Sequence, residues 1–350
     1  MQCNRHLTKS AVKMLRFLAL VCLIGSSLSL PTRSKDEIES FSRFLRDVNS
    51  EKDASTFEEN MRKYPWNSAW ENSGKYQGDI VLTEEDIEDM VAAFAGDDVT
   101  PRNGIASGNR LWPGRNVIFQ FAGHSANGQN QIRGVMTMYH DRTCVRFVQR
   151  GSQNDFVRIT DQNNGCYAHV GYYQNMGAHT HNLGNGCMHT TIIFHEFGHN
   201  VGFNHMHQAQ VRNDWVTINL HNVQSGMQHN FNLVPSHYSN MLGLPYEYAS
   251  NQHYGPTAFS SNGQPTIVAR QAGGNQMGQS SFITNWDYQR INRLYNCPGA
   301  WSTEVNMEDA NAPVEIPSDE ELIERGARFA AEEEERLRRE AEEEKAYAEV

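Results

Sequence analysis

The residues best suited to chemistry in this 350-residue chain lie in one short run, His195-Glu196-Phe197-Gly198-His199. Two histidines four positions apart share one face of a helix, so their imidazoles can converge on one zinc ion at about 2.0–2.1 Å. Glu196 stands beside the first ligand without being needed as one. It is suited to accept a proton from water that the metal has made acidic. Gly202 follows three residues after His199, where a positive φ stops the helix and swings the chain back. His205 then arrives as the third ligand. The five-residue string alone is weakly specific, whereas the longer His-Glu-x-x-His-x-x-Gly-x-x-His spacing is far more so.

Such a site needs a buried helix and a domain around it. The apolar run Thr191-Ile192-Ile193-Phe194 leads into the first histidine and suits a buried helix. Upstream, residues 117–121, 145–148, 156–159 and 168–173 read as short strands, interrupted by a helical pattern over 129–140. Residues 202–278 are rich in Gly, Asn, Gln, Pro and Ser with little periodicity, a texture of functional irregular chain. Thr284-Asn285-Trp286-Asp287, with an acid three residues after the hydroxyl, opens a closing helix that runs to about residue 295. This order gives a mixed α+β domain. Residues 31–101 are charged, with short amphipathic helices over 36–48 and 83–94 and the stretch Tyr76-Gln77-Gly78-Asp79-Ile80-Val81-Leu82 between them.

The ends of the chain differ from its middle. Arg5, Lys9, Lys13 and Arg16 precede an apolar run over 17–24 and small residues over 25–29, the pattern of a cleaved secretory signal. The run is shorter than the roughly 20 residues of a membrane anchor. Cys3 and Cys22 belong to that signal. Cys144, Cys166, Cys187 and Cys297 remain, and an oxidising compartment favours two bridges among three possible connectivities. Between Thr303 and Val350 stand seventeen acids and six bases, which account for the whole formal charge of −11. The remaining body is formally neutral with no basic stripe, which argues against nucleic acid as a partner. The Glu/Arg-rich run over 319–345 reads as a solvated single helix or a partly disordered tail.

The extended histidine spacing is the metzincin signature, and the sequence resembles the astacin family of zinc metalloendopeptidases more closely still. HEFGHNVGFNH is similar to that family's HExxHxxGFxH, and Trp215-Val216-Thr217-Ile218-Asn219 to the stretch that follows it. Leu111-Trp112-Pro113 resembles the opening of the mature domain and Leu294-Tyr295-Asn296-Cys297 its close. The resemblance covers about residues 103–301. It implies a twisted mixed sheet with an active-site helix, an irregular lower half ending in a helix, and one Zn2+ per chain on His195, His199 and His205. It further implies hydrolysis of peptide bonds in protein or peptide substrates, and bridges Cys144–Cys297 and Cys166–Cys187.

The same resemblance assigns further roles. Ser250-Asn251-Gln252-His253-Tyr254 is similar to the family's Met-turn, with Gln252 in place of the methionine that floors the metal site. A buried amide there must find partners. Tyr254 matches the tyrosine that ligates zinc in the resting enzyme and then stabilises the oxyanion. Met206 stands where the family has a glutamate that anchors the new N-terminus, and Ala209 where it has an arginine. Tyr76-Gln77-Gly78-Asp79 is similar to the aspartate switch, making Asp79 the inhibitory zinc ligand of a zymogen. Residues 1–30 are then a signal, 31–102 a propeptide and 302–350 an acidic tail. A trypsin-like protease would activate the secreted protein after Arg102. Ser280 falls where some relatives carry an arginine that selects acidic residues just after the scissile bond, which implies no strong acidic preference there. His169, His179, His181, His189, His207, His221, His229 and His237 lack ligand spacing and read as surface or hydrogen-bonded residues. An inactive zinc- or peptide-binding relative has only Gln252 and Met206 in its favour, and an acidic matrix protein would leave the metal constellation unused.

Overall fold

The structure, a computed structural model, describes residues 33–96, 110–235, 241–302 and 312–348. The expected signal, the Arg102–Asn103 cleavage point and His237 lie outside these residues.

Two charged helices open the described chain: α1 (Lys35–Asn49), started by a Ser34/Glu37 capping box, and α2 (Ala54–Lys63), capped by Asp53. The second of these was not expected from the sequence. A two-residue strand β1 (Ile80–Val81) follows, then α3 (Glu84–Ala95), opened by a Thr83/Asp86 capping box. The domain that carries the histidine run is built from β2 (Asn116–Phe121), α4 (Ala126–Arg142), β3 (Arg146–Gln149), β4 (Phe156–Thr160), β5 (Cys166–His169) and β6 (Ala178–Leu183). The helix α5 (Thr190–Asn200) comes next. The irregular half contains the short ladder β7 (Val216–Ile218) with β8 (Ile267–Ala269), then β9 (Ile283–Thr284) and α6 (Asn285–Leu294).

The strand order is β1-β5-β6-β4-β2-β3. All neighbours are parallel except β5 with β6. The β5 strand ends at His169, four residues short of the reading from sequence, because Gly171 adopts φ +76° and turns the chain away. Strand β6 was missed. Its sequence AHTHNL lacks apolar alternation because His181 and Asn182 are buried on polar partners.

Helix α5 is buried over its whole length, as its apolar lead-in requires. Tyr139 of α4 stacks on Phe194 at 4.4 Å between centroids and donates its hydroxyl to the Phe194 carbonyl at 2.7 Å. Phe147 of β3 and His181 of β6 pack on Phe197, each at 4.6 Å. The sheet and α4 therefore hold the helix from several sides. Two disulfides, Cys144–Cys297 and Cys166–Cys187, tie β3 to the end of α6 and the start of β5 to the loop after β6. They are the pairs that the family resemblance implied.

The acidic tail departs from expectation. After β10 (Pro313–Val314), which pairs with β9, a 30-residue helix α7 (Asp319–Ala348) forms, and its first half is packed rather than solvated. Leu322 and Phe329 are buried, with Phe329 against Phe119 and His140. The α4 and α7 backbones touch at two glycines. A Cβ on Gly134 would stand 2.2 Å from the Leu322 carbonyl oxygen, and one on Gly326 1.8 Å from that of Asn130. Farther along, the Gln149 N–H donates to Glu333 Oε2 at 2.5 Å and its carbonyl accepts from Arg336 Nη2 at 2.6 Å. Gln149 ends the outermost strand β3, so the tail satisfies backbone groups of an edge that is otherwise a template for unwanted pairing. Phe329→Ala should therefore destabilise the chain by about 3 kcal/mol in urea titration, the usual cost of removing a buried aromatic ring. A midpoint unchanged from wild type would show that α7 is not docked.

Candidate metal centre

Helix geometry brings His195 and His199 together, and the helix ends where it must. The Phe203 N–H bonds to the Gly198 carbonyl at 2.9 Å and the Gly202 N–H to that of His199 at 2.8 Å, with Gly202 at φ +116°. This is the Schellman arrangement, which caps the last carbonyls and reverses the chain through a left-handed residue. The reversal delivers His205 to the same point as the helix histidines.

The fourth group comes from far away in sequence. Gly78 adopts φ +93° within a tight turn between Lys75 and Gly78, and the Ile80 N–H bonds to the Tyr76 carbonyl at 2.9 Å. A side chain at Gly78 would meet the Glu71 Cα at 2.8 Å and the Trp70 oxygen at 2.9 Å, so only glycine fits. The turn projects Asp79 into the histidine cluster while Ile80 and Val81 add to the edge of β5 opposite Ala168 and His169. Residues on both sides grip this segment. Ser73 Oγ bonds the N–H and C=O of Cys166, the Gln77 N–H donates to Asn230, and the Trp66 indole donates to the Ser260 carbonyl.

Asp79 Oδ2 lies 3.1 Å from His195 Nε2, 3.1 Å from His205 Nε2 and 3.6 Å from His199 Nε2. His195 Nε2 and His205 Nε2 are 3.2 Å apart. The far nitrogen of each ring is engaged: His195 Nδ1 with the Asn251 carbonyl, His199 Nδ1 with that of Phe203 and His205 Nδ1 with Gln77 Oε1, each at 2.7 Å. These acceptors fix the proton on Nδ1 and leave every Nε2 as a bare lone pair. Three lone pairs and a carboxylate oxygen then face one another with no proton between them. Such an array repels itself unless a cation sits at its centre. Ligands at 2.0–2.1 Å around tetrahedral zinc are spaced ~3.3–3.4 Å apart, a value bracketed by the 3.1–3.6 Å between Asp79 Oδ2 and the three imidazoles. The residues thus fit zinc, and the Nδ1 contacts are the outer partners that orient ligating histidines. Burial also holds His205 neutral, pushing its pKa down to about 3 against the pull of Asp79.

Around this cluster stand the groups able to move protons. Glu196 is fully buried, and neither carboxylate oxygen has a hydrogen-bond partner among the described residues. Burial first, and then the charge of Asp79, drive its pKa well above the usual carboxylate range. Tyr254 is fully buried with its ring 4.3 Å from that of His205 and stacked on His207 at 4.2 Å. Its hydroxyl, too, lacks a partner among the described residues. Trp70 stacks on His195 at 5.2 Å. Ser280 is exposed in the loop before β9. His169, His179 and His181 are all buried and hydrogen-bonded.

Reading the sequence for ligands missed the groups that orient them. Gln77 offered a signal, being adjacent to the Gly78-Asp79 turn. The Asn251 and Phe203 carbonyls offered none, because every residue has one.

Gln252 occupies the floor beneath the cluster. Its amide nitrogen donates to the His195 carbonyl at 2.8 Å and its oxygen has no partner among the described residues. The surrounding turn is held by Asp287, the capping acid of α6, which accepts from Ser250 Oγ and the Asn251 N–H. Met206 is buried beside it, its N–H bonded to the Gln252 carbonyl at 2.9 Å.

An α+β fold with three histidines contributed by one helix and the turn beyond it defines a zinc metalloprotein. The model of the astacin peptidase family matches residues 104–296, and the chain belongs to that family. It is 35% identical over 201 residues to the zinc metalloproteinase nas-4 of Caenorhabditis elegans, covering 57% of this chain and 63% of the relative. It is 38% identical over 167 residues to high choriolytic enzyme 2 of Oryzias latipes, covering 47% and 58%. The solved structure of high choriolytic enzyme 1, a hatching enzyme zinc-protease from Oryzias latipes, superimposes with a TM-score of 0.50 at 32% identity. That match covers 55% of this chain and 96% of the other. The chain spans between about half and two thirds of the length of several of the curated relatives it matches.

A single amide–carbonyl bond contributes about 1 kcal/mol, while a buried orphan acceptor costs about 1–3 kcal/mol. Gln252→Met should therefore keep the metal and gain about 1 kcal/mol in chemical denaturation of the zinc-loaded chain. A loss of stability would contradict this account of the floor.

Proposed function

We propose that the chain is a secreted zinc endopeptidase held latent by its own segment 31–102 and activated when that segment is removed. The observation that carries this reading is the origin of the four convergent groups. His195, His199 and His205 lie inside the family-matched span 104–296, whereas Asp79 lies outside it on a segment that is hydrogen-bonded to Asn230 and Ser260 of that span. A carboxylate is a competent zinc ligand, and its removal would open one coordination position.

The chain's own residues supply the rest. Strand β5 presents an edge that already accepts an extended backbone at Ile80–Val81, so a peptide substrate can add to the sheet in its place. Zinc, when bound, supplies Lewis-acid polarisation of the peptide carbonyl and of water. Glu196 takes the proton from the attacking water and passes it to the leaving amine. Tyr254, packed beside His205, donates its hydroxyl to the oxygen that gains charge in the transition state. Two disulfides suit an extracellular protein. No described helix is long and apolar enough to cross a membrane. The activating partner is a trypsin-like protease cutting after Arg102, and Ser280 leaves the position just after the scissile bond without an acidic preference.

The test separates metal binding from turnover. Activated wild-type protein should hold one zinc per chain and cleave unfolded protein substrates. Glu196→Gln should keep the zinc and lose activity by about 100-fold or more, the contribution of a general base. His199→Ala should lose the zinc, and Asp79→Ala should be active before any cleavage. Equal turnover by Glu196→Gln and wild type, or full latency of a folded Asp79→Ala chain, would contradict the assignment.

A further inference from the structure

A second buried acid of the amino-terminal segment also meets the family-matched domain. Asp86 is the third residue of α3, and its Oδ2 completes the capping box by accepting from the N–H and hydroxyl of Thr83, both at 2.8 Å. A capping box needs no cation, yet Asp86 has one. Arg110 Nη2 lies 2.9 Å from Asp86 Oδ1, and the Tyr173 hydroxyl donates to Oδ2 at 2.6 Å. The guanidinium stacks over the Tyr173 ring at 3.7 Å, and the Arg110 and Asp86 side chains are only 4% and 5% exposed.

The domain itself fixes this arrangement. The Tyr172 N–H donates to the Arg110 carbonyl at 2.8 Å, and any side chain on Gly171 would come within 2.6 Å of that oxygen. Arg110 and Tyr173 are thereby locked to the stretch that continues β5, the strand whose edge holds Ile80 and Val81. A cavity between Ile80, Leu82, Val170 and Tyr173 opens beside the pair. Both residues fall within the matched span 104–296, whereas Asp86 precedes it.

We propose that Arg110 and Tyr173 form a subsite for an Asp or Glu side chain of the bound peptide, with Asp86 as its internal occupant before activation. The inference rests on the peptidase reading, in which the segment leaves. Arg110 and Tyr173 already hold one carboxylate through a charge-assisted bond and a hydroxyl, the same contacts that an acidic side chain of a bound peptide would take up. The place of the subsite is set by β1: from Asp79 at the metal, Ile80–Val81 run extended along β5 at about 3.3 Å per residue, ending two residues before the Thr83 cap of α3. The acidic side chain thus sits a few residues from the scissile bond, on one side of it only, and separate from the position that Ser280 concerns.

The experiment uses the full chain, activated by trypsin treatment, and pairs of peptides that differ by Asp/Asn or Glu/Gln at each position. Wild type should prefer the acid by about ten-fold or more in kcat/KM at one position away from the bond, the scale of a charge-assisted pair. Arg110→Gln should bring that ratio close to one, Tyr173→Phe should lower it in part, and Arg110→Lys should restore much of it. Cleavage of neutral peptides with no acidic preference anywhere, or a ratio unchanged in folded, zinc-loaded Arg110→Gln, would overturn the subsite and leave the peptidase reading standing. Binding of the same peptides to activated Glu196→Gln, measured by calorimetry, separates the two ideas from the other side. Arg110-dependent binding of acidic peptides would support the subsite even if wild type proved unable to cleave them.

Discussion

Four hydrogen-bond acceptors converge on one buried point, and no proton is available to reconcile them. Each histidine has committed its only N–H to an outer acceptor, and Asp79 brings a carboxylate into the same space. With the rings neutral, a cation at the centre makes this arrangement favourable, so zinc binding and folding of the site are coupled. The buried Glu196 and Tyr254 depend on the same point, since both gather around a charge that the protein alone does not supply.

The fold devotes several independent devices to that convergence. The α-helical spacing places two of the converging groups, the Schellman turn at Gly202 places the third, and the glycine turn at Gly78 places the fourth. The irregular half contributes through Asp287, which caps α6 and also holds the turn carrying Asn251, whose carbonyl orients His195. A change in any of these would act on the metal from a distance. The tail helix works at the opposite edge of the sheet, where Glu333 and Arg336 close the last backbone groups of β3.

Much of the site was legible in the sequence because it is local. The spacing of His195, His199, Gly202 and His205 encodes one helix and one turn, and the Gly78-Asp79 pair encodes another. The Thr284/Asp287 cap was equally readable, and α6 starts where it indicates. What escaped notice depends on partners distant in the chain. Strand β6 carries buried polar side chains whose partners, Asn200 and Gly165, lie on other elements. The run over 319–345 looks solvated by composition, and only the glycines at 134 and 326, with Leu322 and Phe329, hint that two helices meet. The Arg110–Asp86 pair joins residues whose separation of 24 positions follows no periodicity.

The central claim is that Asp79 completes the metal site of the intact chain. X-ray absorption at the zinc edge of the uncleaved, zinc-loaded protein measures this directly. The account predicts three imidazole nitrogens and a carboxylate oxygen at about 2.0–2.2 Å, with the carboxylate contribution lost in Asp79→Ala. Identical spectra for the two proteins, or a wild-type spectrum that requires no carboxylate ligand, would contradict it.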